Sequence, residues 1–480
     1  MTLTVYNSLT RQKEIFKTLE ANKVRMYCCG ITVYDYCHLG HARTCLVWDV
    51  VRSYLEWLGY EVNYIQNFTD IDDKILNRAR KEGTSMEDVS ERFIKAHFED
   101  MSRLGIREAN AYPRATQSLD SIKKLVGDLE AKGFAYPADG DVYYSVRKFS
   151  DYGKLSGRKL EDMQTGASGR VDNPEIEKKK DPCDFALWKA AKEGEPCWDS
   201  AWGEGRPGWH IECSAMVRER LGETIDIHAG GSDQAFPHHE NEIAQSEAAN
   251  GQALANYWLH NGMVKVDGEK MSKSLGNFTT IRELLDKPVE AMAMRLFILQ
   301  AHYRKPVDFT DEAIASATNG WDTLKEGLLF GDRFGQDLGF TGSIADTESK
   351  ELIKQRFKDA VNDDFNFTAG LAILFEMAKE LEKEGNIIVH QGKTTTEPQK
   401  LETLWHTLVE LSGVLGFKAE LTVENVSDSL TDEKIEQLIE QRATAKKAKN
   451  WAECDRIRDE LKAEGISLID TKEGTTWHRS

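Results

Sequence analysis

The chain has 480 residues, room for roughly three domains at usual domain sizes, and its 40% hydrophobic and 30% charged content is that of a packed globular protein. A formal net charge of −18 disfavours non-specific nucleic-acid binding, although a specific RNA partner could still be met by local basic patches. No apolar run approaches membrane-spanning length, and Met1 to Tyr6 has neither a basic start nor a long apolar stretch, so no secretory leader is expected and the cytoplasm is the expected location. The eight cysteines, Cys28, Cys29, Cys37, Cys45, Cys183, Cys197, Cys213 and Cys454, form no Cys-x-x-Cys pair. In a cytoplasmic chain this points to free thiols or metal ligands rather than a disulfide framework.

In chain order, Val24 to Cys29 reads as a buried strand that turns at Gly30. From His41 to Leu58 the positions Leu46, Val47, Val50, Val51, Tyr54, Leu55 and Leu58 recur at helical spacing, and Gly59 is the stop. Glu61 to Phe68 reads as a second strand, which makes a βαβ unit of a parallel sheet. Ser85 with Asp88 three residues on predicts a capping box before a long amphipathic helix. Phe134 to Val146 predicts a hairpin turning at Asp139-Gly140. Ser150 to Asp181, polar and rich in Gly and Lys, reads as a mobile surface loop. The sheet resumes at Thr224 to His228 before Gly230-Gly231, a helix begins at Pro237 and runs to about Ala249, and Met263 to Val266 is a further strand. Beyond about Thr310 the pattern is helical, interrupted at 335–347 and 391–399, with a final strand pair at 467–477 turning at Glu473-Gly474.

Two short words carry chemistry. His38-Leu39-Gly40-His41 stands at the start of the first helix, where free N–H groups and the positive dipole end suit phosphate. His38 and His41, three residues apart, would share one face of the first turn and donate to phosphate oxygens. Gly40 would let a flat base lie against the backbone. Lys270-Met271-Ser272-Lys273-Ser274 lies in a loop rich in Ser and Gly, whose two ammonium groups could close over a triphosphate.

A third set is dispersed. His238 and Glu242 are four residues apart and would project from one helix face, as metal ligands often do. Cys29 ends the first strand and Cys213 sits on Trp209-His210-Ile211-Glu212-Cys213. A Cys-Cys-His-Glu set would make a zinc site, but spacing alone leaves open Cys28 or Cys29 and His238 or His239. A surface His-Glu pair is the plainer reading of the spacing.

The two words, in this order, resemble the paired ATP-site signatures of class I aminoacyl-tRNA synthetases. Cys29 to Asp35, Asn67 to Lys74, Gly208 to Ser214 and Phe236 to Glu242 further resemble the cysteinyl-tRNA synthetase family of that class, and the likeness runs from Tyr6-Asn7-Ser8 to Gly474-Thr475-Thr476-Trp477. The family implies an α/β fold: a Rossmann-like doubly wound parallel sheet with an inserted subdomain, followed by an α-helical bundle and a small mixed C-terminal domain. The corresponding boundaries are 1–120 and 206–265 for the catalytic halves, 121–205 for the insertion, 266–320 for the lysine loop and stem-contact region, 321–428 for the bundle and 429–480 for the anticodon-binding domain. It implies catalytic roles for His38, His41, Lys270 and Lys273, ATP contacts that add Gly40 and Ser272, and cysteine contacts at Cys29, Thr69, Trp209 and His228. It implies one Zn2+ per chain on Cys29, Cys213, His238 and Glu242, with ATP and Mg2+. The chain departs from the family at Cys28, where an apolar residue is expected; the neighbouring thiol could compete for metal.

The implied partners are tRNA(Cys), L-cysteine and ATP, for a monomer without membrane attachment. Zinc makes physical sense: sulfur for oxygen is a change that shape discriminates poorly, whereas a soft thiolate is a strong zinc ligand. Arg442, Lys446, Lys447, Lys449, Arg456, Arg458 and Lys462 surround Trp451, a set that reads either as a charged helical hairpin or, by the resemblance, as an anticodon reader. A ligase joining cysteine to a small amine would lack the C-terminal helices, and a non-catalytic nucleotide-binding protein would not need both histidines and both lysines.

Overall fold

The structure, a computed structural model, describes residues 1–162, 178–271, 277–287, 289–342, 347–421, 432–448, 450–463, 466–470 and 475–479. It divides into two compact units, Met1–Leu324 with Glu348–Glu376 and Val409–Lys418, and Lys325–Thr347 with Met377–Leu408 and Ala419–Ser480.

The first unit opens with a hairpin, β1 (Thr4–Asn7) and β2 (Gln12–Ile15), which the sequence pattern did not announce. Strand β3 (Lys23–Thr32) then leads through helix α1 (Leu39–Trp57) into β4 (Glu61–Thr69), parallel to β3. The βαβ reading holds, but the turn at Gly30 does not. The strand continues through Gly30 with an irregular ladder between Cys28 and Ile31. A Cβ at Gly30 would lie 1.7 Å from the Asn67 carbonyl oxygen, so this glycine permits close strand approach instead of a bend. Gly59, with φ +95°, takes the left-handed conformation that follows α1.

Helices α2 (Asp73–Glu82) and α3 (Met86–Arg103) follow, the second opened by the expected Ser85–Asp88 capping box. After α4 (Leu119–Ala131), strands β5 (Ala135–Ala138), β6 (Asp141–Tyr144), β7 (Phe185–Ala190) and β8 (Gly205–Pro207) form an antiparallel four-stranded sheet, inserted in the chain before the parallel sheet resumes. Asp139 and Gly140, both at positive φ, turn its first hairpin as expected. The Ser150–Asp181 segment is not a loose loop throughout. The buried Glu240 carboxylate accepts the N–H groups of Gly153 (3.0 Å) and Ser156 (2.8 Å), and Leu155 is buried. Residues 163–177 of that expectation lie outside the described residues.

The sheet resumes through α5 (Trp209–Arg220), β9 (Ile225–Gly231), α6 (Glu240–Asn250) and β10 (Ala255–Asn261). The parallel order is β10-β9-β3-β4. Chain direction across the sheet therefore reverses between β3 and β9, the switch point at which such sheets bind ligands. Phe236, extended, interrupts the turn Ala235–His239, so Pro237 lies within that turn and the regular helix α6 starts three residues later than expected, at Glu240.

A small sheet of β11 (Val264–Val266), β12 (Glu269–Lys270) and β13 (Val307–Phe309) brackets α7 (Ile281–Leu285) and α8 (Ala291–Leu299). The rest is helical: α9 (Asp311–Leu328), α10 (Phe330–Leu338), α11 (Thr347–Val361), α12 (Phe367–Gln391), α13 (Pro398–Val414), α14 (Asp432–Lys447) and α15 (Trp451–Ala463). The expected loop at 335–347 starts later, because Gly335 stays helical beneath the Phe340 ring, 2.9 Å from where its Cβ would be. In the second unit, Ile435, Leu438, Ile457 and Leu461 form a core with Leu468 and Trp477 of the strand pair β14 (Ile466–Asp470) and β15 (Thr475–Arg479). The turn residues Glu473-Gly474 lie outside the described residues.

Candidate active site and metal-ligand cluster

The carboxyl ends of β3 and β9 and the start of α1 surround a cleft of about 380 Å3, lined among others by Cys29, His38, His41, Trp209, His238 and Met271. His38 is not on a helical face, as the spacing suggested; it is the N-cap. Its Nδ1 accepts the N–H of Gly40 (3.0 Å) and of His41 (3.3 Å), and the His38 N–H reaches His41 Nδ1 at 3.4 Å. The two rings stack at 3.7 Å. Because both Nδ1 atoms accept, each neutral ring carries its proton on Nε2. A Cβ at Gly40 would stand 2.9 Å from His38 Cε1, so the glycine makes room for the capping ring.

Behind this helix start, Cys29, Cys213, His238 and Glu242 each offer a donor atom, all within 4.8 Å of one another and all buried. They come from β3, α5, the turn before α6 and α6 itself. Cys29 Sγ donates to Glu242 Oε1 at 3.1 Å, His238 Nε2 lies 3.1 Å from the same oxygen, and His228 Nε2 lies 2.9 Å from Glu242 Oε2. The Cys213 thiol is drawn down to about 6, chiefly by its hydrogen bond with Cys29, while burial pushes the Cys29 thiol well up. The nearby His228 and His238 hold the Glu242 carboxyl below its ordinary value against the cost of burial. His238 Nδ1 sits 3.0 Å from His210 Nδ1, which orients the ring. Two thiols, an imidazole and a carboxylate in a dry pocket suit a soft divalent ion.

The ambiguities left by spacing fall to packing. Cys28 faces the other side of β3, where Gln66 Nε2 lies 3.9 Å from its Sγ. His239 turns to His260, with 2.8 Å between Nδ1 and Nε2, although with His228 and Cys29 it makes a second close set of donors. Trp209 is 41% exposed at the cleft and stacks on His238 at 4.4 Å. Thr69 and His228 do not line the cleft. The Thr69 hydroxyl donates to Glu212 Oε2 at 2.8 Å, and His228 is fully buried behind Glu242. His210, Glu212 and Asn67 are supports that the sequence reading did not single out; polar residues at the ends of buried strands and on a buried helix face were the available signal.

The lysine word starts on β12, and Met271 lines the cleft. The Lys270 side chain, Ser272 and Lys273 lie outside the described residues. Beyond the word, Phe278 meets His38 edge-on at 5.3 Å, Thr280 pairs with His38, and the Ile281 N–H donates to the Cys37 carbonyl at 2.9 Å. The chain on both sides of the word thus faces the histidines. In the second unit Trp451 is exposed, but Arg456 pairs with Glu453 and Glu460, and Arg458 with Asp455 and Asp459. Two of the basic side chains expected there, Arg456 and Arg458, are thus paired with acidic neighbours.

Residues 15–319 match the family of class I tRNA synthetase (C) catalytic domains, 356–420 the DALR domain, and 428–477 the cysteinyl-tRNA ligase anticodon binding domain. The Cysteine--tRNA ligase of Rippkaea orientalis is 72% identical over the whole of both chains. Those of Trichodesmium erythraeum and Synechocystis sp. are each 62% identical, again over the whole of both chains. Among solved structures, Mycobacterium tuberculosis methionyl-tRNA synthetase with methionyl-adenylate superposes with a TM-score of 0.56 at 16% identity, covering 82% of this chain and 89% of its own. Thermus thermophilus arginyl-tRNA synthetase does so at 0.53 and 14%, covering 86% and 84%. These two likenesses establish the fold.

Proposed function

This chain belongs to the cysteine–tRNA ligase family of class I aminoacyl-tRNA synthetases, and on that premise we propose how its residues perform the family reaction. The enzyme activates L-cysteine with ATP, forming cysteinyl-adenylate and pyrophosphate. It then transfers the cysteinyl group to the 3′-terminal ribose of tRNA(Cys), releasing AMP. The observation that carries the site reading is the buried Cys29, Cys213, His238 and Glu242 cluster, two of whose members open into the cleft beside His38 and His41.

Cys29, Cys213, His238 and Glu242 would hold a Zn2+ ion, which when bound supplies a soft centre that takes a thiolate far more readily than a hydroxyl. Trp209 closes one side of the amino-acid pocket and keeps the His238 ring in place. Thr69 and His228 act one layer back, through Glu212 and Glu242. ATP enters with Mg2+ at the start of α1. There the Nε2–H groups of His38 and His41 donate to phosphate oxygens as the carboxylate of cysteine attacks the α-phosphorus. Lys270, Ser272 and Lys273 close over the β- and γ-phosphates and stabilise the departing pyrophosphate.

The residues after about 429 read the anticodon through Trp451 and neighbouring bases, as the matched anticodon binding domain supports. The reaction belongs to the cytoplasm and to a single chain. No helix of the described residues is long and apolar enough to cross a membrane.

Cysteine-dependent pyrophosphate exchange, zinc analysis and tRNA charging test the reading together. Exchange that proceeds with cysteine and not with serine, in protein holding one zinc per chain, is the expected result. Equal exchange with serine would overturn it. Trp451→Ala should lower charging at low tRNA concentration and leave exchange unaltered.

A further inference from the structure

Arg43 lies two residues beyond His41 on α1 and is completely buried. No carboxylate among the described residues faces it, and burial alone brings its guanidinium down to about 10, so it remains charged near neutrality. Its hydrogen bonds go to backbone carbonyls. Nη1 donates to Met263 O at 2.8 Å, and Nη2 to Tyr303 O at 3.1 Å and to Lys305 O. These carbonyls belong to two neighbouring segments of chain that run parallel. Met263 stands immediately before β11, which passes through β12 into the lysine word. Tyr303 to Lys305 lead into β13, which pairs with β11.

The two segments approach closely. The Gly262 N–H donates to Tyr303 O at 2.8 Å and the Val307 N–H to Met263 O at 3.1 Å. A Cβ at Gly262 would stand 2.4 Å from the Lys305 carbonyl carbon and oxygen. The second segment is in turn anchored to the buried Asp364, which accepts from Tyr303 Oη at 3.0 Å and Arg304 Nε at 2.7 Å. A planar guanidinium holds its donors to the carbonyls of two segments in a fixed geometry; an ammonium with rotatable donors on a flexible stem does not fix that geometry.

We propose that Arg43 is a positioning residue for adenylate formation: it fixes the helix that carries His38 and His41 against strand β11, which leads into the lysine word. The proposal rests on the reading of those four residues given above. Both halves of the phosphate site are then held by one buried cation, while the metal-ligand cluster, on β3, α5 and α6, is held by other contacts. Loss of Arg43 therefore lowers turnover in the activation step and leaves cysteine capture intact, because a misplacement of about 1 Å costs on the order of 100-fold in rate.

The test uses the full-length, zinc-loaded protein with Arg43→Lys and Gly262→Ala, the second of which strains the close approach of the same two segments. Lys273→Ala and the unaltered protein serve as references. Exchange is normalised to active sites by the burst of adenylate. The expected result is a kcat lowered at least about 10-fold in both variants, with KM for cysteine and zinc content within twofold of the unaltered protein. A purely structural role would lower the melting temperature and the burst amplitude but leave kcat per active site unchanged, and that outcome overturns the proposal. If Arg43→Lys does not fold, unaltered kcat in Gly262→Ala overturns it alone. Absence of exchange in the unaltered protein would instead refute the ligase reading, and normal exchange in Lys273→Ala the reading of the lysine word.

Discussion

The helix start at His38 and the thiol cluster behind it lie in one cleft, yet they are built by opposite means. The His38–His41 pair is made by its own neighbours: three residues of sequence, a cap and two accepting Nδ1 atoms fix both rings. The cluster is made by the fold, from Cys29, Cys213, His238 and Glu242 on separate elements spread over more than 200 residues of chain. The pair therefore keeps its own internal geometry when distant parts of the protein are disturbed and loses it when a local atom is added. The cluster tolerates little, because its donors are buried and satisfy one another.

The sharpest test of that contrast is Cys213→Ser. The hydroxyl keeps the shape but removes a soft donor, so zinc affinity and cysteine binding should each fall by more than about 100-fold, measured by metal analysis and titration. Histidine-side functions should survive, seen as unchanged binding of ATP. On the other side, Lys273→Ala should lower the exchange kcat by roughly 100-fold while cysteine affinity stays as it was, separating the two regions in the reverse direction. Gly40→Ala is subtler. Its Cβ would press on His38 Cε1 at 2.9 Å, and displacement of the capping ring should cost about 10-fold in kcat, with zinc content unaffected. Zinc loss in that variant would show that the two regions are not independent.

How much of this was legible beforehand follows the same division. The βαβ unit, the capping box at Ser85 and the hairpin at Asp139-Gly140 rest on rules of neighbouring residues, and they are present. Gly30 was misread because a glycine permits either a bend or a close approach, and only the Asn67 carbonyl beside it decides which. Strand alternation places Cys28 and Cys29 on opposite faces of β3 but does not say which face holds the metal-ligand cluster. The choice between His238 and His239 likewise depends on the partner each finds, His210 for one and His260 for the other. Thr69 and His228, expected at the substrate, bond to Glu212 and Glu242, partners that strand alternation does not reveal.

The smallest expected effect concerns neither region directly. His97 of α3, whose Nδ1 lies 3.5 Å from Cys37 Sγ beside the histidine helix, is held down to about 4 by burial. A histidine with a depressed folded value binds its proton more readily when unfolded. Its contribution is therefore intact above its ordinary value of 6.5 and is lost as pH falls towards 4. The loss is at most about 3 kcal/mol, at about 1.4 kcal/mol per pKa unit. Melting temperature should fall between those limits, and His97→Gln should flatten that slope without changing exchange at neutral pH.

The central claim is that the buried donor cluster chooses cysteine while the histidine and lysine words handle ATP. It is tested most directly by the ratio of kcat/KM for cysteine over serine in pyrophosphate exchange, before and after a chelator removes the metal. The account predicts a ratio of at least about 10,000 in the loaded enzyme. It further predicts collapse of cysteine activity on metal removal, restored by adding Zn2+. A ratio that survives metal removal would contradict it.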